Sequence, residues 1–506
     1  MTNLSDLFPA GAGKQVSFVA DGAISAAGKP VVLTAAGKAA PIAETTTTEA
    51  IPEGAKAEIL GTDNRYAAIA YDPVSGKAVC IWRNDEGVDE YGRLSVGTVS
   101  GTTITWNTSV VFDSTNLANA YHTVAFDPNT TNSFVINYYR SGSQWDIAGT
   151  VSGTSATVGT AVRVRTATAQ GLAPLLAWNP NQAGEYAAIY KDDGSSSNNI
   201  YAYIGTVTGN SISQGATNLL AAVAHDGCGI AWNKGVNDEL AIIYRTHTGT
   251  TVNICRGTVS GTTITYGTPS VVDSSNNGFM PNISFDDNVT GSFVWQYFSS
   301  THTESRSGAG TLSGDTWTFG TTQVTPDSDS SNLVYLSPIQ FVQTTAGVGA
   351  GCWYGTNGST YGARAAAFSV SGTTLTWGTS SVIDTGDSPV AASPRMSFNP
   401  QDAGSFITCN GETSGAGYDT NTYLSRIAIS SSNVTAANFV GIADAGIATS
   451  ATGTVVVQGG TVTGLSSLTA GSKYYVQNDG TITTVSSSVN AGLAISTTAL
   501  LLNGDS

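Results

Sequence analysis

The sequence predicts an all-β protein: a seven-bladed β-propeller of four-stranded blades plus a small β domain built from the N- and C-terminal segments. Three observations lead to this prediction. A hairpin motif recurs along the chain, each recurrence carries the same four strand patterns, and a segment near the start of the chain replaces a strand that the last copy lacks.

The recurring motif is a β-hairpin corner whose first copy is GTVSGTTITW, residues 97–106. Successive copies are 52, 56, 52, 53 and 58 residues apart. They begin at Gly149, Gly205, Gly257, Gly310 and Phe368, and a degenerate seventh copy begins at Arg426. Self-similarity with a period near 50 residues is typical of propellers, solenoids and arrays.

Each copy contains four strand patterns separated by turn-forming residues. In copy two these cover residues 121–126, 133–139, 145–151 and 156–164. The first strand is short and apolar and usually ends at Asp or Asn, as in IAYDP at residues 69–73, whereas copy six departs with IQFVQ at residues 339–343. Such residues could suggest calcium or glycosidase sites, but Asp-Pro and Asn-Pro form turns by side-chain hydrogen bonding to the backbone. We therefore interpret them as structural.

Copy seven lacks the motif of a fourth strand, because SSSNVTAANF stands where GTTITWGT is expected. Residues 56–62 precede the first strand of copy one just as residues 110–114 precede that of copy two. We infer that residues 56–62 complete blade seven and close the ring, which removes free sheet edges.

Three regions follow from this organisation. Residues 1–55 form an N-terminal β segment and linker, with the linker at residues 44–49, residues 56–432 form the propeller, and residues 433–506 form a C-terminal β domain. Residues 18–33 loosely resemble residues 439–457, and neither piece alone is long enough to bury a sufficient core. We expect the two terminal segments to pack together, on the side of the propeller that carries the short hairpins.

Composition excludes several functions. The net charge is −16, charged residues are only 11 %, and no basic run exceeds Arg163-Val-Arg165, so nucleic acid is not an expected partner. The first residues lack the pattern of a signal peptide, and no apolar run is long enough for a membrane span. The five cysteines are widely spaced in apolar strand patterns, which favours buried free thiols.

Alternation of strand direction sorts the loops onto two faces. The hairpins on one face are short and uniform, whereas the loops between second and third strands vary in length, and one holds Asp85, Glu86, Asp89 and Glu90. Variable loops on a rigid frame are a usual place for binding. Aromatic and imidazole side chains there either stack on sugars or are simply exposed. The candidate binding residues are Tyr91, Trp145, Tyr201, His302, Tyr361 and Tyr418.

Other aromatic residues are predicted to pack between blades, because they recur at one position of the fourth strand: Trp106, Tyr266, Phe319 and Trp377. No catalytic, metal-binding or cofactor-binding motif is present, and the four histidines fall in different blades. We therefore predict no catalytic residue, no metal and no cofactor.

The opening TNLSDLFPAGAGK, the repeated hairpin and the ending NFVGIADAGIATSATGTVVVQGGTVTGLSSLTAGSKYYVQNDGTITT resemble tail-fibre or appendage proteins of tailed, especially aquatic, bacteriophages. The resemblance spans nearly the whole chain and is most specific in the closing segment. It implies a structural component of the virion that recognises a host surface, and it supplies no catalytic motif.

The expected function is therefore a non-enzymatic virion protein, a tail fibre or appendage, made in the host cytoplasm and located in the virion. Its expected partners are other virion proteins, a host surface glycan or protein, and further copies of itself, as in the trimers common among phage fibres. Two alternatives stay open. One is a capsid-decorating or neck protein, and the other is a glycan-cleaving enzyme, which would need two carboxylates about 5 to 9.5 Å apart on the variable-loop face.

Overall fold

The fold comes from a computed structural model and contains only strands, turns and irregular segments in its described part. No helix in that part is long and apolar enough to cross a membrane. The description covers residues 15–502 with the following gaps: 43, 46–54, 60–63, 85–89, 102, 116, 118–121, 165–174, 193–198, 222–223, 247–250, 275–277, 329–337, 357–360, 385–394, 403, 415–416, 428–430, 478–479, 486 and 488.

The chain divides into two compact units, residues 49–428 and residues 1–48 with 429–506. Before entering the larger unit it forms β1 (Gln15–Val19), β2 (Pro30–Leu33), β3 (Ala39–Pro41) and β4 (Glu44–Thr45). The linker predicted at residues 44–49 is wrong at its start, because β4 pairs with a strand from the other end of the chain, Ser431–Ser432.

The larger unit consists of seven antiparallel sheets in its described part. It opens with β5 (Ala55–Glu58). The strands of blade one are β6 (Asn64–Tyr71), β7 (Lys77–Asn84), β8 (Gly92–Ser100), β9 (Thr103–Trp106) and β10 (Val110–Asp113). Those of blade two are β11 (His122–Phe126), β12 (Ser133–Arg140), β13 (Ser143–Ser152), β14 (Ser155–Val158) and β15 (Val162–Arg163). Those of blade three are β16 (Leu175–Trp178), β17 (Glu185–Asp192), β18 (Asn199–Thr208), β19 (Ser211–Gln214) and β20 (Asn218–Ala221).

The remaining sheets repeat this order. Blade four has β21 (Ala224–Trp232), β22 (Glu239–Thr246), β23 (Val252–Ser260), β24 (Thr263–Tyr266) and β25 (Ser270–Asp273). Blade five has β26 (Gly278–Phe285), β27 (Ser292–Ser299), β28 (Glu304–Ser313), β29 (Thr316–Phe319) and β30 (Gln323–Val324). Blade six has β31 (Ile339–Phe341), β32 (Val348–Thr356), β33 (Tyr361–Ser371), β34 (Thr374–Trp377) and β35 (Ser381–Asp384). Blade seven has β36 (Arg395–Phe398), β37 (Ser405–Ser414), β38 (Gly417–Arg426) and the early strand β5.

The first strands of all seven sheets line one central channel, and apolar side chains from adjacent sheets share core clusters. This is the arrangement of β-propeller blades, so the predicted all-β propeller class is confirmed. The first strand of a blade is a sheet edge, and side chains bridge neighbouring edges. The indole nitrogen of Trp178 donates to the carbonyl of Ala125, and that of Trp232 donates to the carbonyl of Ala177, each at 2.9 Å.

The fourth strand of blades one to six is divided into two short strands that pair with the same third strand. In blade two, β14 pairs with residues 149–152 and β15 with Trp145 and Asp146. The prediction of one continuous strand over residues 156–164 is therefore wrong. The division falls at Gly159, where an added Cβ atom would lie 1.8 Å from the carbonyl oxygen of Asn210 in the next blade. The glycine that follows the repeated hairpin is thus required by close inter-blade packing.

Blade seven is completed by β5, which pairs with β38 from Ala55 opposite Leu424 to Glu58 opposite Asn421. The predicted closure is confirmed, although the strand ends at Glu58 and residues 60–63 lie outside the description. Trp106 of blade one donates its indole N–H to the Thr422 hydroxyl at 2.8 Å, and that hydroxyl donates to the carbonyl of Ala57 at 2.7 Å. Three segments that are distant in sequence are therefore connected at the closure.

After the propeller the chain forms β39 (Ser431–Ser432), β40 (Phe439–Ala443), β41 (Thr452–Val457), β42 (Thr461–Thr463), β43 (Lys473–Val476), β44 (Ile482–Thr483), β45 (Asn490–Ala494) and β46 (Ala499–Leu501). One sheet has the order β1-β41-β40-β2-β3, so it contains strands from both ends of the chain. A second sheet has the order β42-β46-β45-β43-β44. Buried side chains from both sheets, including Val32, Ile442, Val476 and Leu500, form one core.

Most of the other sequence predictions concern which side chains are buried. All five cysteines are free and buried, as predicted. Trp106 is only 8 % exposed and belongs to the core between blades one and seven, so its predicted inter-blade role is confirmed. Tyr266, Phe319 and Trp377 are half-buried against the corresponding clusters of later blades.

Candidate functional site

The two ends of the propeller unit differ in their chemistry. We call the end with the turns between first and second strands and between third and fourth strands the hairpin end. The end with the loops between second and third strands is the variable-loop end.

Buried carboxylates connect neighbouring blades at the hairpin end. Asp127, which directly follows the first strand of blade two, is fully buried. Its Oδ1 accepts the backbone N–H of Asn129 at 2.8 Å in its own turn, and its Oδ2 accepts the backbone N–H of Gly184 in blade three at 2.7 Å. Asp72 and Asp286 make the same pair of bonds, reaching Asn132 and Gly347 in their next blades. The interpretation of these residues as turn formers is confirmed.

At the variable-loop end, Trp145 is part of a compact charged and aromatic group. The Arg140 guanidinium lies over the Trp145 ring, 3.8 Å from its centroid, and forms an ion pair with Asp113 at 2.6 Å. Trp145 is half-buried and packs against the core of blades one and two. Trp145 was expected to present an exposed ring, and the structure shows that the ring is only partly exposed, because Arg140 covers one of its faces.

Asp113 is held in its ionised form by the groups around it. Burial opposes ionisation, but hydrogen bonds from Thr115, Tyr138 and Arg140 together lower the pKa of its carboxyl below the ordinary value. Burial and the neighbouring carboxylate raise the pKa of Tyr138. Asp113 therefore positions Arg140 and connects blade one to blade two.

The other candidate residues do not form one cluster with Trp145 in the described structure. Tyr201 is half-buried and stacks on Tyr190, with ring centroids 5.4 Å apart and planes at 14°. Tyr91 is half-buried, and His302 is exposed with its Nδ1 3.3 Å from the Ser299 hydroxyl. The backbones of Tyr361 and Tyr418 lie in β33 and β38, and their side chains are outside the description. Asp85, Glu86 and Asp89 are outside it too, whereas Glu90 lies 3.7 Å from Arg83.

The arginines at this end were not among the residues predicted from the sequence. Arg245 lies 4.1 Å from the centroid of the Phe279 ring, and Arg83 lies 5.3 Å from that of Tyr66. Burial lowers the pKa of Arg245 from its ordinary value. The sequence does contain a pattern that could have identified them. In the first four blades, an aromatic residue followed by a basic one lies within the last three residues of the second strand: Trp82-Arg83, Tyr139-Arg140, Tyr190-Lys191 and Tyr244-Arg245.

The central channel has a volume of about 350 Å³ and is lined by the first strands of all seven blades. In β11, buried residues alternate with half-buried ones in the pattern BiBiB, and both kinds contribute to the lining of the channel. Each first strand runs from the variable-loop end to the hairpin end. Arg395, Asn282, Leu175 and Thr123 are therefore nearest the variable-loop end.

A buried polar network fills the interface between blades two and three. Asp146 is fully buried and accepts hydrogen bonds from Asn137, Tyr186, Tyr203 and Gln214 at 2.5 to 2.9 Å. Burial raises the pKa of the Asp146 carboxyl, and these hydrogen bonds only partly oppose that rise. The network lies between strands rather than at a surface, so its role is structural.

In the part of the chain that the structure describes, no group of three or more His, Cys, Asp or Glu side chains could hold a metal ion. His122 is buried in β11, and His302 is exposed in the turn between β27 and β28.

No protein-family model and no curated protein matches the chain. Among solved structures, the chain is similar to a Dyadobacter fermentans protein of unknown function, with 11 % identity, coverage of 76 % of this chain and 99 % of that one, and a TM-score of 0.44. It is also similar to a Hadza microbial sialidase, with 11 % identity, coverage of 72 % and 66 %, and a TM-score of 0.37. A GH74 enzyme of Niastella koreensis has 16 % identity, coverage of 71 % and 54 %, and a TM-score of 0.43. Nothing about activity follows from similarities at this level.

Proposed function

We propose that this chain is a non-enzymatic structural protein of a bacteriophage virion, a tail fibre or appendage, whose variable-loop end binds the host surface. The observation that carries the proposal is the difference between the two ends. The hairpin end is held by buried carboxylates that bridge consecutive blades, whereas the variable-loop end presents arginine and aromatic side chains beside loops of unequal length.

Arginine stacked on an aromatic ring is well suited to surface recognition. The guanidinium donates hydrogen bonds in one plane, and the ring offers an apolar face to sugar C–H groups or to a peptide. Arg140 is kept in place over Trp145 by Asp113, so little side-chain entropy is lost when a ligand binds.

The same geometry supports binding over hydrolysis at this group. Glycoside hydrolysis requires two carboxyl groups on opposite sides of the scissile bond. Asp113, the carboxylate beside Trp145, already accepts bonds from Thr115, Tyr138 and Arg140.

Adsorption of the labelled full-length protein to a panel of aquatic bacteria tests the proposal. We expect binding to some strains, and we expect Arg140→Met combined with Tyr201→Ala to reduce it at least several-fold. Val289→Ala is the matched control, because Val289 is 42 % exposed at the hairpin end. Failure of the parent protein to bind any strain, or equal loss in the control, would contradict the proposal.

Cryo-electron microscopy of a virion that carries this protein tests its position. Density for the propeller on a tail fibre or appendage is the expected result. Density at the neck or on the capsid surface would overturn that part of the proposal.

A further inference from the structure

We infer that Cys80 and Cys409 are the site of a disulfide bond that forms in an oxygenated medium and joins blade one covalently to blade seven. This modification is separate from the proposed surface-binding function, because it requires no ligand. Three features support it: the positions of the two residues in their strands, the core that they share and the contact between their thiols.

The second strands of consecutive blades face each other through fixed positions. The fifth residue of one second strand lies opposite the fourth residue of the next. Between blades five and six these residues are Gln296 in β27 and Gly351 in β32. The Oε1 atom of Gln296 lies 2.9 Å from the position that a Cβ atom of residue 351 would occupy, so the two positions are in direct contact.

At the closure of the ring both of these positions hold cysteine. Cys409 is the fifth residue of β37, and Cys80 is the fourth residue of β7. Both side chains are at most 1 % exposed and belong to the core that blades one and seven share. The thiol of Cys80 is hydrogen-bonded to the thiol of Cys409. A disulfide can therefore form here without a change of strand register.

The pair of cysteines is specific to the closure. At the other six interfaces at least one of the two facing positions holds another residue type. These pairs are Ile81 with Ile136, Asn137 with Ala188, Ile189 with Ile242, Ile243 with Trp295, Gln296 with Gly351, and Cys352 with Thr408. The two facing thiols thus occur where the ring is joined from distant parts of the chain.

Dissolved oxygen is the oxidant that we assign to this reaction. Two S–H bonds break and one S–S bond forms, and the two protons and two electrons reduce one oxygen molecule to hydrogen peroxide. Thiols are kept reduced in a bacterial cytoplasm. The bond is therefore expected only after the protein has reached an oxygenated medium.

The environment of Cys80 sets the rate of the reaction. Burial raises the pKa of its thiol, and the hydrogen bond to Cys409 raises it further. Because the thiolate is the reactive form, the closed interface reacts slowly. We expect oxidation when the closure opens transiently and both thiols reach water.

The bond would reinforce a closure that is otherwise non-covalent. Strand β5 and the hydrogen bond from Trp106 to Thr422 join the two blades in their outer parts, and Thr422 pairs directly with Cys409 in the sheet. The loop that the disulfide closes contains most of the propeller. Cross-links that close long loops restrict the unfolded chain most strongly.

Thiol counting on the full-length protein tests the inference. Reduced protein is incubated in air-saturated buffer at about pH 8.5, with and without urea below its unfolding transition, and is then denatured and alkylated. We expect five alkylated thiols before incubation and two fewer afterwards. Trypsin should release residues 78–83 joined to residues 396–426, the peptides that contain Cys80 and Cys409.

Single cysteine variants identify the reacting pair. Cys80→Ala and Cys409→Ala should each keep all of their remaining thiols through both incubations. Cys352→Ala is the matched control, because Cys352 is equally buried and is also the fifth residue of its second strand, but lies opposite Thr408. This control should still lose two thiols. Thermal melting of each reduced variant establishes that the fold is retained, and the peptide map of the parent protein depends on no variant.

Urea unfolding measures the effect of the bond on the ring. Oxidation should raise the midpoint of the propeller transition by roughly 1 M in the parent protein and in Cys352→Ala, and should leave it unchanged in Cys80→Ala. Five thiols that stay free in both incubations, a cross-link between other peptides, or an equal loss of thiols in Cys80→Ala would overturn the inference. An unchanged midpoint in the cross-linked parent would overturn the role of the bond in holding the ring.

Discussion

Replacing Trp106 tests whether ring closure depends on the contact between blades one and seven. Its ring is 8 % exposed in the core that joins these blades, and its indole N–H donates to Thr422, which in turn donates to the carbonyl of Ala57. Truncation of a buried Trp to Ala costs about 3–5 kcal/mol of the free energy of unfolding. Trp106→Phe keeps most of the packing and removes the donor, so it should cost about 1 kcal/mol from the hydrogen bond plus a smaller packing loss.

Urea unfolding of the full chain, followed by far-UV circular dichroism, measures both changes. Because the chain has two units, the relevant quantity is the midpoint of the transition assigned to residues 49–428. Leu219→Ala is the control, since Leu219 is 46 % exposed on an outer strand and its truncation should cost less than about 0.5 kcal/mol. If Trp106→Ala lowers the free energy of unfolding by no more than the control does, the account of closure is wrong.

Three further outcomes are expected. Asp127→Ala should cost roughly 2–4 kcal/mol in urea unfolding, because it leaves the part-buried N–H of Gly184 without its acceptor, and an unchanged midpoint would contradict the inter-blade role of this carboxylate. Gly320→Ala should destabilise the protein in the same assay, since its Cβ would lie 1.8 Å from the carbonyl oxygen of Thr373, and a neutral result would show that the turn of blade six can move. Because the fold raises the pKa of Asp146, its ionised form is disfavoured in the folded state, so its contribution to stability should grow as pH falls from neutral through the raised pKa toward the unfolded value of about 3.9. As the pH is lowered from 7 to 4.5, the change in melting temperature should therefore be less favourable in Asp146→Asn than in the parent protein. Parallel curves of melting temperature against pH would refute this.

The sequence predicted the features that depend on local pattern. Asp127 and its equivalents were identified as turn formers because an Asp-Pro pair after a short apolar strand has one common use. Closure by the segment that contains Ala57 could be predicted because the copy around Thr422 lacked a strand, and because this segment precedes copy one just as residues 110–114 precede copy two.

Features that depend on the neighbouring blade could not be predicted in this way. The division of the outer strand at Gly159 is set by the position of Asn210, which is 51 residues away in sequence but in direct contact in space. Trp145 was expected to be exposed because its loop is variable, yet its exposure is decided by Arg140, which folds back over the ring. The lining of the central channel likewise becomes visible only when residues from seven strands, such as Ala177 and Ser397, are placed around one axis.

The divided outer strand limits how neighbouring molecules can associate through their sheets. In the six blades whose outer strand is divided, the two pieces are at most four residues each, and they are separated by the segment that passes beneath the next blade's turn. Intermolecular sheet extension requires a longer, flatter row of free backbone groups than either piece provides. Where many copies of this chain lie side by side, the outer strands of neighbouring molecules therefore contact each other through side chains rather than backbone hydrogen bonds. The molecules can then be packed densely without forming a common sheet.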